Sequence, residues 1–149
     1  MSLITDSIFI DALKSDTELT GALGGRIYCT AIPLPDEELD NVPLPYAIVS
    51  FRGFQRSGYT KDSNMVGDTD NVNISLLIAA TTRPELGELM IKATNAIDDY
   101  FEAHIYDDDD DFDLIPVQYD VSDPEGVQYD SQKPCYWQRL NYQCETYKD

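Results

Sequence analysis

The chain has 149 residues, 42% hydrophobic and 26% charged, which fits one globular domain. Ten basic and 28 acidic residues give a net charge of −18, and a surface this acidic repels phosphate, so conventional nucleic-acid binding and anionic membranes are disfavoured. No apolar stretch approaches the roughly 20 residues that span a bilayer, and the acidic first residues lack the basic region of a secretory signal.

The N-terminal third predicts two helices and a strand. Apolar residues recur at helical spacing over residues 4–13, which indicates a first helix. Asp16 is placed to cap a second, short helix, and Gly24 with Gly25 is placed to end it. We interpret this glycine pair as a helix stop and not as a phosphate-binding loop, because no Walker lysine follows it. Residues 26–32 are β-branched and aromatic and predict a strand.

The middle of the chain predicts two strands separated by a long polar segment. Residues 46–51 are almost all apolar, as in a strand covered on both faces. Residues 55–70 are polar, and we expect a loop that is mobile in the free subunit and ordered at an interface. Residues 71–80 alternate so that Val72, Ile74 and the residues at every second position after them share one face.

A long amphipathic helix is the clearest local signal. Thr82 and Glu85 have the spacing of a capping box, and Pro84 suits the first helical turn. Apolar residues then follow at helical spacing as far as His104. The predicted buried stripe consists of Leu86, Leu89, Met90, Ala93, Ile97, Tyr100 and Phe101.

The C-terminal third predicts a strand pair. Residues 112–121 and 134–147 read as strands joined through a turn at Asp123–Gly126. In the last strand Tyr136, Leu140, Tyr142 and Cys144 share one face, and Trp137, Arg139 and Asn141 share the other. The expected fold is a single α+β domain over residues 1–149, with an N-terminal helix pair and one long helix packed on a mostly antiparallel sheet of about five strands.

Few residues suggest catalysis or metal binding. The three cysteines form no C-x-x-C motif and predict reduced thiols rather than a disulfide framework or zinc site. The single histidine, His104, is interpreted as a helix-end residue. The run Asp107, Asp108, Asp109, Asp110 and Asp111 lacks EF-hand spacing, and we expect a solvent-facing acidic loop, or one lining a channel, rather than a dedicated cation site. No catalytic residue, cofactor or metal is predicted.

Aromatic residues of the last strand have two interpretations. Tyr136, Trp137 and Tyr142 are either sheet core or anchors of a contact between subunits. Both faces of this strand carry aromatic or long side chains, so the sequence leaves the choice open.

Taken together, several segments resemble the small tail-completion or tail-terminator (neck) proteins of tailed bacteriophages and prophages. The resemblance covers residues 3–146 and is carried by ALGGRIYCTAIP, PLPYAIVSF, NVNISLLIAA and LGELMIKATNAIDDYF. It implies a structural, non-enzymatic protein that assembles as a homo-oligomeric ring, often a hexamer. Such a ring ends the tail tube and joins it to a head-tail connector or neck protein, in the virion tail or, during assembly, in the host cytoplasm.

Two other classes of function compete with this interpretation. An acidic inhibitor that mimics DNA would need carboxylates at the spacing of duplex phosphates, whereas the acids here concentrate in the last third of the chain. A metal-dependent hydrolase would have to use the aspartate run alone. A structural ring protein fits the residues better, since acidic channel walls repel DNA and let a duplex slide past.

Overall fold

The computed structural model describes residues 5–30, 42–56, 69–104, 114–120 and 126–147. Its elements are α1 (Thr5–Ser15), α2 (Thr17–Ala22), β1 (Ile27–Cys29), β2 (Tyr46–Arg56), β3 (Thr69–Ala80), α3 (Arg83–His104), β4 (Leu114–Asp120), β5 (Gln128–Asp130) and β6 (Cys135–Tyr147). The predicted α+β class is confirmed, with its N-terminal helix pair and its long helix. The described helices include none long and apolar enough to cross a membrane.

The strands form one sheet in the order β1-β2-β3-β6-β4. All pairs are antiparallel except β1 with β2, which run parallel. The long strand β6 pairs with β3 on one edge and with both β4 and β5 on the other. Strands β4 and β5 therefore lie end to end along that edge, β4 beside residues 141–146 and β5 beside residues 135–137 of β6.

The hydrophobic core lies between one face of this sheet and the helices. Every second residue of β3 from Val72 to Ala80 is fully buried, as the alternation predicts. In α1, Phe9 is buried against the rings of Phe101 and Tyr142, at centroid distances of 5.3 and 5.1 Å. The predicted stripe of α3 is also confirmed: six of its seven residues are buried, and Tyr100 packs at the rim of the core.

The junction between the first helices follows the predicted capping. Asp16 Oδ1 accepts hydrogen bonds from the backbone amides of Glu18 and Leu19, at 3.0 and 3.1 Å. At the other end of α2 the amides of Gly24 and Gly25 donate back into the helix, and both glycines have positive φ. Such backbone is accessible to glycine at little cost, so the pair ends α2 and turns the chain into β1.

Removing the cap tests this junction. We expect Asp16→Ala to lower the free energy of unfolding by about 1 kcal/mol, because two amides at the start of α2 lose their acceptor. Asp16→Asn keeps an acceptor oxygen at the same place and should retain most of the stability. Urea unfolding followed by circular dichroism measures both variants. Equal losses in the two would mean that the carboxylate charge matters and the cap does not.

Three predicted boundaries differ from the structure. Strand β1 ends at Cys29, and Thr30 has a φ of 67°, which leaves the extended region. The polar segment 55–70 was predicted to be a loop throughout, which is wrong at its ends: β2 continues to Arg56 and β3 begins at Thr69. These strand ends pair with each other although their residues are polar, so they carry no alternating apolar signal. Residues 57–68 lie outside the described residues, so the mobility predicted for them stays a prediction.

The connection into β6 also differs. The sequence predicts a direct connection of the last two strands through Asp123–Gly126, but in the structure the short strand β5 intervenes and the chain reverses at residues 131–134. Asp130 Oδ1 accepts hydrogen bonds from the amides of Gln132 and Lys133, at 2.9 and 3.4 Å. An aspartate that bonds its own following backbone builds a turn without glycine, which explains why this reversal was missed.

Candidate interaction surfaces

The helices pack on one face of the sheet, and no described helix covers the other face. We call the second the open face; strand pairing places Tyr46, Ala79 and Trp137 in one row across it, and Ile48, Leu77 and Arg139 in the next. Several of its side chains are half-buried, Trp137 and Arg139 among them, whereas the smaller Ser75 and Ala79 are covered by their neighbours. The open face is thus a partly apolar surface with aromatic and cationic groups.

Two cations of the open face lie over aromatic rings. The Arg139 guanidinium is 5.9 Å from the centroid of Trp137. The Lys133 ammonium is 5.4 Å from the centroid of Tyr46 and donates to the backbone oxygen of Val42 at 3.3 Å. Ring faces attract cations, so these contacts hold both positive charges against the sheet. Within the described part of the chain, the buried Nε of Arg139 has no hydrogen-bond acceptor.

A shallow polar depression adjoins these pairs. It has a volume of about 390 Å³ and is lined by Arg52, Asn73, Asn141, Tyr142 and Gln143. Amide groups and one guanidinium bind by hydrogen bonds and charge, but this set includes neither a nucleophile nor a general base. The depression therefore extends the cationic, hydrogen-bonding character of the open face.

The opposite side of the molecule is acidic. The solvent-exposed side of α3 forms a stripe whose residues recur at helical spacing, and we call it the α3 stripe: Pro84, Gly87, Glu88, Ile91, Asn95, Asp98, Asp99 and Glu102. It holds four carboxylates; on the same helix Arg83 is exposed at the first position, and Lys92, four residues after Glu88, is half-buried beside the stripe. At its centre Ile91 is 62% exposed, the most exposed large hydrophobic side chain among the described residues.

Burial sets the ionisation of the groups near the open face and in the core. Burial raises the pKa of Tyr46, with nearby Cys135, Asp130 and Tyr28 adding to the effect. Burial likewise raises the pKa of Cys135, and Asp130 raises it further while Lys133 opposes the shift. Cys144 lies in the core, where burial raises the pKa of its thiol to about 12. These groups stay neutral at physiological pH, which suits packing and not nucleophilic chemistry.

The aromatic residues singled out in the sequence take different positions. Tyr142 is only 1% exposed and contacts Phe9 in the core, so it offers no surface to a second subunit. Tyr136 packs against the core, and its ring lies 4.9 Å from that of Tyr129, a residue of the edge strand β5 that is 56% exposed. Trp137 belongs to the open face. For Tyr136 and Trp137 the contact with a second subunit stays a prediction.

The acidic run Asp107–Asp111 lies outside the described residues, so its role as a solvent-facing or channel-lining loop stays a prediction. Among the described residues, no group of three or more His, Cys, Asp or Glu side chains is placed to hold a metal ion.

The sequence identifies only some residues of these surfaces. Its alternation singles out Arg139 in the last strand but gives no sign of Lys133, Tyr46 and Ile91. The alternation of β6 identifies the open face of that strand, but the cross-strand partners require the register.

Comparison with solved structures finds a similar fold in a virion protein. A chain of the structure "Virion of native gene transfer agent (GTA) particle" superimposes with a TM-score of 0.58 at 13% identity, over 96% of this chain and 94% of that one. No protein-family model matches the sequence. No curated protein matches it either. At this identity the likeness shows a shared fold along nearly the whole length of both chains.

Proposed function

We propose that this protein is a structural, non-enzymatic subunit of a phage-like virion that assembles into a ring, ends the tail tube and joins it to the neck. The observation that carries the proposal is the end-to-end likeness to a chain of the gene transfer agent virion. The segments GGRIY and PLPYAIVSF, which resemble tail-terminator proteins, support the same assignment independently of the fold.

The two surfaces of the subunit support an assembly role. The open face and the α3 stripe are extended surfaces of different chemistry on opposite sides of one domain, as a subunit with a neighbour on each side requires. The depression on the open face lacks the nucleophile and base that hydrolysis needs.

Electron microscopy and native mass spectrometry test the ring directly. We expect a closed ring, with six copies the size implied by the resemblance, and we expect the ring to cap the ends of tubes built from a tail tube protein. Rings that do not bind tube ends would contradict the tail-terminator role. A subunit that stays monomeric both alone and with tubes would contradict the structural assignment itself.

Salt should strengthen the self-association. Each subunit carries −18, so subunits repel one another through solvent at low ionic strength. The screening length falls from about 30 Å at 0.01 M to about 8 Å at physiological ionic strength, which removes much of this repulsion. Analytical ultracentrifugation across that range should show a rising oligomer fraction, and added sucrose of equal osmolality serves as a control. A falling fraction would mean that exposed ion pairs dominate the contact.

A further inference from the structure

The open face of this very acidic protein carries three cations, spread along the sheet: Arg52 lies level with Asn73 of β3, Arg139 opposite Leu77, and Lys133 over Tyr46, which is opposite Ala79. Arg52 is exposed there, and Arg139 and Lys133 are held over aromatic rings. The one acidic side chain described beside them, Asp130, accepts hydrogen bonds from the turn before β6. Arg52 and Arg139 are therefore the groups of the open face that can pair with carboxylates of a partner.

The α3 stripe has the complementary chemistry. Four carboxylates line it, and Ile91 projects from its centre with 62% of its surface in water. Its neighbours at helical spacing are Gly87, Glu88, Thr94 and Asn95, and such an exposed isoleucine among small and polar residues resembles the arrangement at protein interfaces, where an apolar anchor has a polar rim. The open face offers it Leu77 and the Trp137 ring, both half-buried.

We propose that the α3 stripe of one subunit docks on the open face of a second copy of the same chain. This inference rests on the proposed ring and assigns the contact that builds it. Two different surfaces on opposite sides of the subunit meet head to tail, and only such a heterologous contact closes into a ring of more than two subunits. Carboxylates of the stripe, such as Glu88 and Asp99, pair with the arginines, and Ile91 covers the apolar centre.

The contact also resolves the conflict between charge pairing and the net charge of −18. Pairs enclosed in the interface are screened little by salt, whereas repulsion between the remaining acids acts through solvent and is screened strongly. Association through this contact therefore still strengthens as salt rises to the physiological range.

Charge reversals on each surface separate the two halves of the contact. Arg139→Glu and Arg52→Glu block the open face; Arg52 is exposed, so its variant folds even if the partly buried Arg139 does not tolerate a carboxylate. The double variant Glu88→Lys, Asp99→Lys blocks the stripe. Lys14→Glu and Glu18→Lys make changes of the same sign at exposed sites outside both surfaces and serve as controls.

Each blocked variant alone should be monomeric, with the dissociation constant raised roughly 100-fold or more, because one charge of each pair is left facing a like charge. An equimolar mixture of Arg52→Glu with the stripe variant should associate again, because the unmodified stripe of the first variant meets the unmodified open face of the second, and the reversed charges on the other two surfaces are again opposite in sign. Sedimentation velocity and native mass spectrometry distinguish these species. The controls should assemble like the unmodified chain.

The proposed contact is overturned if the blocked variants still form rings, or if the mixture stays monomeric. In either case, rings formed by the unmodified chain would still support the proposed function. The open-face variants could instead form rings but fail to bind tail tubes. That result would assign the open face to the tube protein and would also overturn the proposed contact between subunits. If the mixture associates but the unmodified chain forms open filaments, the contact is correct and the ring is wrong.

Discussion

Ile97→Ala should lower the free energy of unfolding by about 2–5 kcal/mol, whereas Ile91→Ala should change it by less than about 0.5 kcal/mol. Both isoleucines belong to α3, so the gain in helix propensity on substitution by alanine is similar in the two and cancels in the comparison. Ile97 is fully buried between the helix and the sheet, and Ile91 is 62% exposed. The difference reports the removal of buried side-chain atoms and the cavity that remains.

Chemical denaturation at a subunit concentration too low for association measures this pair of variants. A loss of this size is a large part of the 5–15 kcal/mol typical of a single domain. Equal effects at the two positions would show that α3 presents a different face to the sheet. Ile91→Ala should instead weaken assembly, so the same variant is neutral for folding and harmful for the proposed ring contact.

The stability of the fold should fall steeply above pH 9 because of Cys144. Its thiol has a pKa of about 12 in the folded chain, raised by burial from the 9.0 of an exposed thiol. Between these two values the unfolded chain binds fewer protons at this site than the folded chain does. Stability therefore decreases with rising pH, by about 1.4 kcal/mol per pH unit and by roughly 4 kcal/mol over the whole interval, and is fully present below pH 9.

Cys144→Ala provides the matched comparison, because it removes the titration and leaves the other groups in place. Its unfolding free energy should decrease less steeply between pH 9 and pH 10.5 than that of the unmodified chain. Cys29→Ala, at an exposed position, is the control and should keep the original slope. Parallel slopes for Cys144→Ala and the unmodified chain would show that the thiol is solvated in the folded protein.

The elements predicted best are those whose burial follows a regular period. The stripe of α3 and the alternation of β3 each meet the core on one side along their whole length, so the apolar pattern determines them. β5 was missed because three residues carry too little pattern. The parallel pairing of β1 with β2 and the polar ends of β2 and β3 depend on contacts with neighbouring strands, which have no signal in the local sequence.

The candidate surfaces were only partly predictable. Alternation in β6 correctly separated Trp137 and Arg139 from Tyr142, but it did not show which of the two faces the helices cover. Lys133 reaches the ring of Tyr46 across a long sequence separation, and Ile91 is distinctive only because it lies on the solvent-exposed side of α3. Such features arise from the register of distant strands and from the outer side of a packed helix, and neither can be read along the chain.

The position of β6 in the sheet has a consequence for how the chain reaches its fold. The central strand β3 pairs on one side with β2, the strand that precedes it in the sequence. On its other side it pairs with β6, the last strand of the chain, with Thr69 opposite Tyr147 and Ala80 opposite Tyr136. Bringing β6 next to β3 closes a long loop, and the entropy of that loop is lost before the hydrogen bonds between the two strands form. We therefore expect β2 and β3 to form a hairpin first and the pairing of β3 with β6 to limit the folding rate. During synthesis β3 leaves the ribosome well before β6, and its unpaired apolar edge is the segment that a chaperone would protect.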